Sequence, residues 1–413
     1  MKSLNEKNIL LTGVTGLVGR HILYELLLEN IKGISINKIF VTIRATEQSP
    51  YDRLQELFDL GSCPTSLTKF PFEYFLNFID IINTDLLSDN LEALLKDRLP
   101  HDLTVIHSAA STNLASNDAA KADVFDNNMI ATFHLLKAVA SKTKKVCYLS
   151  SSFAIGQKEG VITDDYLTST NGSSRNHYEQ YKLQTEKSVV EFCKSHNMQW
   201  QILRPSIVCG RLLEKPYYYM SKFDVFYGFA KCAAFLQNKT NKQSPLRVTC
   251  NMVSSLNIVP ADYVAKVICK SIHCDIKQLN IVHKNNVNSR LLVSEIFKSV
   301  GLAHFKIVSE TPSDLTKAER FYYATAGSIF TEYLCSPEQS FDVRELKKIA
   351  HDVELPEIQN ALPKLLEYAA KCEFDSKNSA TQALSIDNEN NNSDWKVLIK
   401  DIKVNPSEKC PTY

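Results

Sequence analysis

The chain has 413 residues, and its 47 Lys and Arg nearly cancel its 46 Asp and Glu, leaving a formal net charge of +1. This balance excludes an overall attraction to nucleic acid or to an anionic membrane surface. A hydrophobic content of 44% predicts a packed globular core. The eleven cysteines stand singly, without a CxxC pair or a Cys/His cluster at zinc spacing, so we predict reduced thiols and no metal site.

No apolar run reaches the roughly 18–20 residues that a membrane span needs. The first predicted strand begins at Asn8, which leaves no room before it for a cleaved signal peptide. We therefore expect a cytoplasmic protein.

Short apolar runs alternate with helical patterns over the first half of the chain. This order indicates βαβ units, and we predict a doubly wound parallel sheet, the Rossmann fold, for residues 1–210, with segments near 250–285 returning to it. The predicted strands are Asn8–Thr12, Lys38–Arg44, Phe78–Ile82, Leu103–His107, Lys145–Ser150 and Gln199–Arg204.

The second half of the chain predicts a smaller, mostly helical lobe over residues 211–375, placed above the carboxyl ends of the strands. From Ser376 to Asp394, Ser, Asn, Asp and Ala dominate, which predicts a flexible linker because such a segment buries little apolar surface. Trp395–Val404 is apolar and basic by turns, and either docks back on the protein, binds a partner or frays. We therefore assign 376–413 to a linker and tail.

Three glycines follow the first predicted strand at a spacing of three. Gly13, Gly16 and Gly19 stand between that strand and a predicted helix, where they permit a tight turn and a close approach of backbone to a pyrophosphate. The free N–H groups of the helix then face the anion. The segment predicts a dinucleotide site made by Thr12, Gly13, Thr15, Gly16, Leu17, Val18 and Gly19.

The end of the second predicted strand distinguishes between the two nicotinamide cofactors. Proteins that bind NAD usually carry Asp or Glu there, but this chain has Arg44. A guanidinium can bind a 2′-phosphate through paired hydrogen bonds, and Arg53 offers a second cation. The pattern therefore favours NADPH.

Tyr178 and Lys182 lie four residues apart in a helical pattern, hence on one helix face. A tyrosine can act as an acid toward a carbonyl if a nearby ammonium lowers its pKa. Ser151 follows the fifth strand and is expected to point into the same crevice, with Ser150 and Ser152 as alternatives. Asn128 either holds a water or backbone group that connects Lys182 to solvent, or lies on a helix surface.

These motifs together resemble the extended short-chain dehydrogenase/reductase superfamily over residues 7–300. The matching pieces are Thr12–Gly19, Thr84–Leu86, His107–Ala110, Asn128–Thr132, Ser150–Gly156, Tyr178 with Lys182, and Arg204–Gly210. The resemblance implies a catalytic Ser151, Tyr178 and Lys182, in which tyrosine donates the proton and lysine holds the nicotinamide ribose. It also implies cofactor contacts from Asp85, Leu86, Ser108, Ala109, Ala110 and Pro205.

Within that superfamily the chain looks most similar to the thioester reductase branch related to fatty acyl-CoA reductases, the "male sterility" type. The similarity rests on Ile43–Ala45, Asp52–Leu54 and Leu256–Tyr263. It implies reduction of an acyl thioester, on coenzyme A or on an acyl carrier protein acting in trans, to an aldehyde or alcohol. The aromatic stretch 217–236 then suits an apolar acyl chain, or else packs the small lobe.

Other functions fit the same motifs. The scaffold also reduces ketones and aldehydes, and oxidises hydroxysteroid-like or sugar-nucleotide alcohols, because each reaction transfers hydride at a carbon that bears oxygen. A non-catalytic NADP-binding regulatory protein is a further alternative. A homodimer is expected by analogy with the superfamily.

Overall fold

A seven-stranded sheet, parallel throughout, forms the centre of the molecule. The computed structural model describes residues 7–33 and 36–383. The strands of the sheet run in the order β12-β7-β5-β4-β1-β2-β3, which reverses direction beside β1 and β4. The strands are β1 Lys7–Thr12, β2 Ile36–Ile43, β3 Ile79–Asn83, β4 Leu103–His107, β5 Thr143–Leu149, β6 Gly160–Ile162, β7 Gln199–Pro205, β8 Ile207–Cys209, β9 Leu246–Thr249, β10 Ser255–Leu256, β11 Ile258–Pro260, β12 Gln278–Ile281, β13 Val287–Asn288, β14 Phe305–Val308 and β15 Gln339–Phe341.

Helices cover both faces of the sheet, as predicted for a doubly wound fold. Residues of β1 show why: Ile9 and Leu11 pack into the apolar cluster on one face, and Leu10 into the cluster on the other. The helices are α1 Leu17–Ile31, α2 Pro50–Gln55, α3 Phe72–Leu76, α4 Leu91–Lys96, α5 Asp118–Val124, α6 Ala131–Val139, α7 His177–Ser195, α8 Phe226–Leu236, α9 Ala261–Ser271, α10 Ser289–Ser299, α11 Lys317–Ala324, α12 Ala326–Leu334, α13 Arg344–Ile349 and α14 Ile358–Lys371.

The small lobe packs around a second apolar core, contributed mainly by α8, α10, α12 and α14. Phe229 lies at its centre, stacked on Phe330 and edge-on to Phe297. The lobe also contains strands, because β9 pairs with β14 in parallel and β10 pairs with β13 antiparallel.

The chain passes between the two lobes more than once. After β8 it enters the small lobe, and it returns through β11 and α9 to place β12 beside β7 at the edge of the central sheet. α9 packs on α1. Asp262, in the first turn of α9, holds this return, since its buried carboxylate accepts hydrogen bonds from the N–H groups of Leu212, Leu213 and Glu214.

The predicted start of the linker, at residue 376, lies before the end of the folded chain. Residues 376–383 fold onto the small lobe: Ser379 Oγ accepts from the N–H of Met220 at 3.2 Å, its carbonyl accepts from Tyr368, and Ala383 is fully buried. Small residues such as Ser and Ala lack an apolar pattern in sequence yet fit closely against backbone. The rest of the predicted linker, and Trp395–Val404, lie outside the described residues.

Throughout the described ranges, no helix is long and apolar enough to cross a membrane. In the same ranges, no group of three or more His, Cys, Asp or Glu residues could hold a metal ion.

Candidate active site

The glycine loop between β1 and α1 is shaped by close backbone contacts. Gly13 has a φ of +71°, and a Cβ there would lie 2.6 Å from the nitrogen of Ala109. A Cβ on Gly19 would lie 2.1 Å from the carbonyl oxygen of Gly13. α1 therefore starts against the loop, and no side chain caps its first turn at Gly16. Its N–H groups point to a place where an anion can bind.

Beside this loop lies a crevice of about 470 Å³, which we call the glycine-loop crevice. It runs along the carboxyl ends of β1, β2 and β4, at the point where the strand order reverses, the usual ligand position in open parallel sheets. Its lining includes Gly13, Thr15, Gly16, Arg44, Arg53, Asp85, Leu86, Ser108, Ala109 and Ala110, all predicted for cofactor binding.

Two arginines lie at one end of the glycine-loop crevice. Arg44 is largely exposed and pairs with Asp85 at 2.8 Å, and Arg53 donates to the carbonyl oxygen of Arg44. Burial alone would raise the pKa of Asp85, but hydrogen bonds from the Leu87 N–H and from Arg44 outweigh it, and the pKa is lowered. Asp85 therefore stays ionised and pairs with Arg44 in the lining of the crevice.

A second crevice, of about 290 Å³, adjoins the first and contains the predicted catalytic side chains. We call it the tyrosine crevice. The predicted residues in its lining are Gly16, Leu17, Val18, Gly19, Ser108, Ala110, Ser151, Tyr178, Lys182 and Pro205. Together the two crevices contain every predicted site residue except Thr12 and Asn128, which lie buried behind them.

The electrostatics of Tyr178 differ from the expectation that Lys182 lowers its pKa. Burial raises the pKa of Tyr178 to about 12, although a hydrogen bond with Ser151 opposes this rise. Lys182 Nζ lies 5.9 Å from the centre of the Tyr178 ring and donates to the carbonyl oxygen of Leu149 at 2.8 Å. Tyr178 is consequently protonated at neutral pH, as a hydrogen-bond donor must be.

Burial, opposed by the carboxylate of Glu186, lowers the pKa of Lys182 to about 8. Lys182 is therefore mostly protonated at neutral pH, and it loses its proton as the pH rises through about 8.

Of the three serines that follow β5, Ser151 is the one bonded to Tyr178. It also caps the short turn Ser152–Ile155 by accepting from the N–H of Phe153. Ser152 is fully buried, and neither its hydroxyl nor that of Ser150 has a hydrogen-bond partner in the structure. Ser150 lines the tyrosine crevice as Ser151 does, and Ser152 is not part of its lining, so the interaction with Tyr178 is what favours Ser151 over Ser150.

A chain of hydrogen bonds runs behind both crevices through His107. The Thr132 hydroxyl donates to the carbonyl oxygen of Asn128 at 2.6 Å, so its oxygen accepts from His107 Nε2 at 2.9 Å. His107 Nδ1 then accepts from Thr12 Oγ1 at 2.7 Å, and Thr12 accepts from the N–H of Ala109 at 3.2 Å. Burial, together with the ammonium of Lys182, lowers the pKa of His107 to about 3, so this ring is neutral.

Asn128 is buried in a π-helical turn, Phe125–Ile130, between α5 and α6. Its amide donates to the carbonyl oxygen of Ser111 and accepts from the Ser111 N–H, at 3.0 and 2.7 Å. The alternative of a helix-surface asparagine is therefore wrong. Asn128 fixes the segment after β4, which lines both crevices.

Sequence reasoning missed the residues that close the tyrosine crevice from the small lobe. Tyr333, on α12, lines this crevice and bonds through its hydroxyl to Glu179 and Asn176 at the start of α7, each at 2.9 Å. Thr112, Lys222 and Asp224 form a bonded group on another side. These residues follow no motif, and only tertiary packing brings them to Tyr178.

Beyond Lys222 and Asp224 the tyrosine crevice opens into a larger groove of about 820 Å³, the outer groove. Its lining includes Phe223, Phe235, Phe321, Ile329 and Phe330. The aromatic stretch 217–236 is divided between two places: Phe223 and Phe235 line the groove, and Phe226, Tyr227 and Phe229 are buried in the core.

Comparison with known proteins identifies the same kind of domain. A family model for an NAD-binding domain, described as "Male sterility protein", matches residues 11–268, more than half of the chain. No curated protein matches the sequence.

Solved structures of similar fold fall into two groups. The first includes the terminal R domain of the myxalamid PKS-NRPS pathway, with a TM-score of 0.65, 18% identity, and coverage of 90% of this chain and 92% of that one. It also includes a thiolation-reductase di-domain of an archaeal non-ribosomal peptide synthetase, with a TM-score of 0.62, 20% identity, and coverage of 90% and 77%. The second includes UDP-glucuronic acid 4-epimerase from Bacillus cereus in complex with UDP-glucuronic acid and NAD, with a TM-score of 0.57, 17% identity, and coverage of 88% and 99%. At these identities the likeness shows the fold.

Proposed function

The chain belongs to the male sterility protein family of NAD-binding domains, and we propose that it is an NADPH-dependent reductase of acyl thioesters. It is an NAD(P)-dependent oxidoreductase of the extended short-chain dehydrogenase/reductase superfamily. The proposal adds the substrate class, the phosphorylated cofactor and the residues that act.

The observation that carries the substrate class is the outer groove. An apolar groove lined by phenylalanines opens directly on the crevice that contains Tyr178, and the charged diphosphate and the hydroxyl groups of a sugar nucleotide would lose hydrogen bonds against such a lining. An acyl thioester has one, together with a carbonyl for Tyr178. The two reductase domains of similar fold come from carrier-linked synthetases, which supports a carrier-bound acyl group as one form of the substrate.

In this proposal Tyr178 and Ser151 hold the carbonyl oxygen of the thioester. Bound NADPH supplies the hydride. As negative charge develops on the oxygen, the Tyr178 hydroxyl donates its proton there, and the nearby Lys182 ammonium stabilises the charge. The C–S bond then breaks, so that thioester, NADPH and one proton yield aldehyde, thiol and NADP⁺. A second hydride transfer to the aldehyde would give the alcohol.

The two arginines of the glycine-loop crevice support NADPH as the cofactor. Arg44 is exposed and Arg53 lies beside it, so their guanidinium groups can bind a 2′-phosphate. We expect Arg44→Ala to raise the KM for NADPH about tenfold or more, the value of one charge-assisted hydrogen bond, and to leave that for NADH unchanged. Arg98→Ala, which removes another exposed aspartate-paired arginine, is the matched control. Equal losses with both cofactors would contradict the assignment to the phosphate.

Stoichiometry tests the reaction itself. The protein is incubated with NADPH and a series of acyl-coenzyme A thioesters, while NADPH absorbance and free thiol are followed together. We expect one thiol for the first NADPH consumed, abolished in Tyr178→Phe but retained in Tyr181→Phe, a control on the same helix.

Each rival function predicts a different result in that experiment. NADPH consumption with ketones or aldehydes but without thiol release would replace the proposal by carbonyl reduction. Tight NADPH binding without turnover of any thioester, ketone or aldehyde would favour a regulatory protein. If carrier-bound thioesters react and coenzyme A thioesters do not, the reductase assignment stands with the substrate restricted to the carrier.

A further inference from the structure

The outer groove and the tyrosine crevice form one continuous space. Six residues line both: Ala110, Thr112, Leu114, Lys222, Asp224 and Val225. At about 290 Å³ the tyrosine crevice has room for little more than the reacting groups. A long arm of a substrate held at Tyr178 can therefore extend into the outer groove.

The lining of the outer groove contains a glycine where a larger residue would fit. Gly228 lies in the first turn of α8, on the helix face that also presents Lys231, Cys232 and Phe235 to the groove. A Cβ placed on Gly228 would meet no heavy atom within 4 Å. Its backbone is helical, and glycine is a poor helix former, so neither conformation nor packing within the protein calls for glycine here.

The chemistry of the lining indicates which arm of a thioester fills this space. One polar group of the lining lies at the junction with the tyrosine crevice, where Lys222, Asp224 and Thr112 bond to one another. A second consists of Ser111, Asn113 and Asp123 on the segment after β4 and on α5. Beside Gly228 the lining is mainly apolar, with Phe235, Phe321 and Ile329, and Lys231 is the cation among them. A pantetheine arm carries two amide groups that would lose hydrogen bonds against such a surface, but an alkyl chain loses none.

We propose that Gly228 determines which acyl chains the protein accepts, by leaving the outer groove open to the apolar chain of the substrate. This inference rests on the proposed function and adds the position of the acyl chain. A side chain at residue 228 would occupy the volume that the methylene groups otherwise fill.

The test compares Gly228→Phe with Gly228→Ala, which improves the helix but adds a single methyl group. Values of kcat/KM are measured with acetyl-, hexanoyl- and palmitoyl-coenzyme A. Since each displaced methylene costs about fourfold in binding, we expect Gly228→Phe to lose more than about tenfold on the palmitoyl substrate and to retain its activity on the acetyl substrate. Gly228→Ala should resemble the unaltered protein with all three.

Two outcomes would overturn the inference. An equal loss on all chain lengths in Gly228→Phe would place the thiol arm in the groove, and no loss on any chain would leave the groove outside the substrate path. Unchanged far-ultraviolet circular dichroism and an unchanged thermal midpoint are required of both variants, so that a folding defect is not read as specificity.

Alkylation of Cys232 separates this inference from the proposed function, since it needs no turnover. Cys232 is partly exposed in the groove, and Cys274 is an exposed thiol outside it that serves as the internal reference. Palmitoyl-coenzyme A should slow alkylation of Cys232 but not of Cys274, and Gly228→Phe should abolish the protection. Protection without any thioester turnover would contradict the proposed function alone, and absence of protection would contradict the acyl-chain site.

Discussion

Within the site, His107 carries no charge, accepts a hydrogen bond at Nδ1 and donates one at Nε2. Replacing it by Phe would leave the buried Thr12 hydroxyl without an acceptor, although Thr12 would still accept from the Ala109 N–H. The buried Thr132 hydroxyl would lose the donor from His107 but would still donate to the carbonyl oxygen of Asn128. We expect His107→Phe to lower the free energy of unfolding by about 1–3 kcal/mol for each lost partner, measured by urea denaturation. His101→Phe, at an exposed histidine, should change it by less than about 0.5 kcal/mol.

The same histidine contributes a pH dependence of definite sign. Its pKa is lowered from 6.5 to about 3, so between these values the unfolded chain binds a proton that the folded chain does not. The free energy of unfolding should therefore fall as the pH is lowered from about 6.5 toward 3. This part of the slope should be missing in His107→Phe, and identical slopes in both proteins would refute a neutral His107.

The pKa of Lys182 predicts how the activity, rather than the stability of the fold, depends on pH. Its pKa is lowered to about 8 by burial, and the ammonium supports charge on the substrate oxygen only while it is protonated. We expect kcat/KM to fall as the pH rises through about 8. In Lys182→Arg the cation persists, so the residual activity should show no such fall. A profile of the unaltered protein that stays flat well above pH 8 would remove Lys182 from this role.

At the scale of elements, α7 is fixed to the sheet by a buried ion pair. Arg204 on β7 and Glu186 on α7 meet through two hydrogen bonds of 2.8 Å, and both side chains are fully buried. Glu186→Ala would leave a guanidinium buried without its countercharge, and should cost about 3–5 kcal/mol of unfolding free energy. Glu345→Ala removes an exposed pair with Lys348 and should cost less than about 1 kcal/mol. Comparable losses in the two variants would contradict this difference.

Six of the seven strands of the central sheet could be predicted, because each is a buried apolar run in a βαβ alternation. The seventh, β12, is the four-residue segment Gln278–Ile281, in which Gln278 and Asn280 are polar, so it is too short and too polar to be recognised as a buried apolar run. Its strand conformation depends on pairing with β7, far away in the sequence. The same reason hides β9 and β14 within a lobe predicted as mostly helical.

The same distinction between local and long-range contacts applies to the candidate site. The residues of the glycine loop, and Tyr178 with Lys182, could be predicted from the sequence because local geometry fixes their spacing. Tyr333 and the group formed by Thr112, Lys222 and Asp224 could not be predicted, because separate segments of both lobes bring them to the tyrosine crevice. The side of the site proposed to hold the cofactor could therefore be predicted from the sequence, and the side proposed to face the substrate could not.

At the scale of the whole molecule, Tyr333 joins the small lobe to the helix that carries Tyr178. Its hydroxyl bonds to Glu179 and Asn176, and its ring lies under the guanidinium of Arg175 at 5.0 Å. We expect Tyr333→Phe to cost about 1 kcal/mol of unfolding free energy, and to raise the KM for the acyl substrate more than that for NADPH.

Tyr51→Phe, at an exposed tyrosine, is the control for Tyr333→Phe and should change neither constant. An unaltered KM for the acyl substrate in Tyr333→Phe would mean that the hydroxyl does not position the two lobes.

The return of the chain through α9 and β12 limits how the two lobes can be exchanged between related proteins. Because the central sheet is completed only after the chain has already passed through part of the small lobe, no single cut separates the two. To exchange the small lobe between related proteins, two separate segments must be replaced in the same chain, one before and one after residues 258–281. We expect chimaeras with a single crossover near residue 210 to be insoluble, and double grafts that keep α9 and β12 with their own sheet to fold.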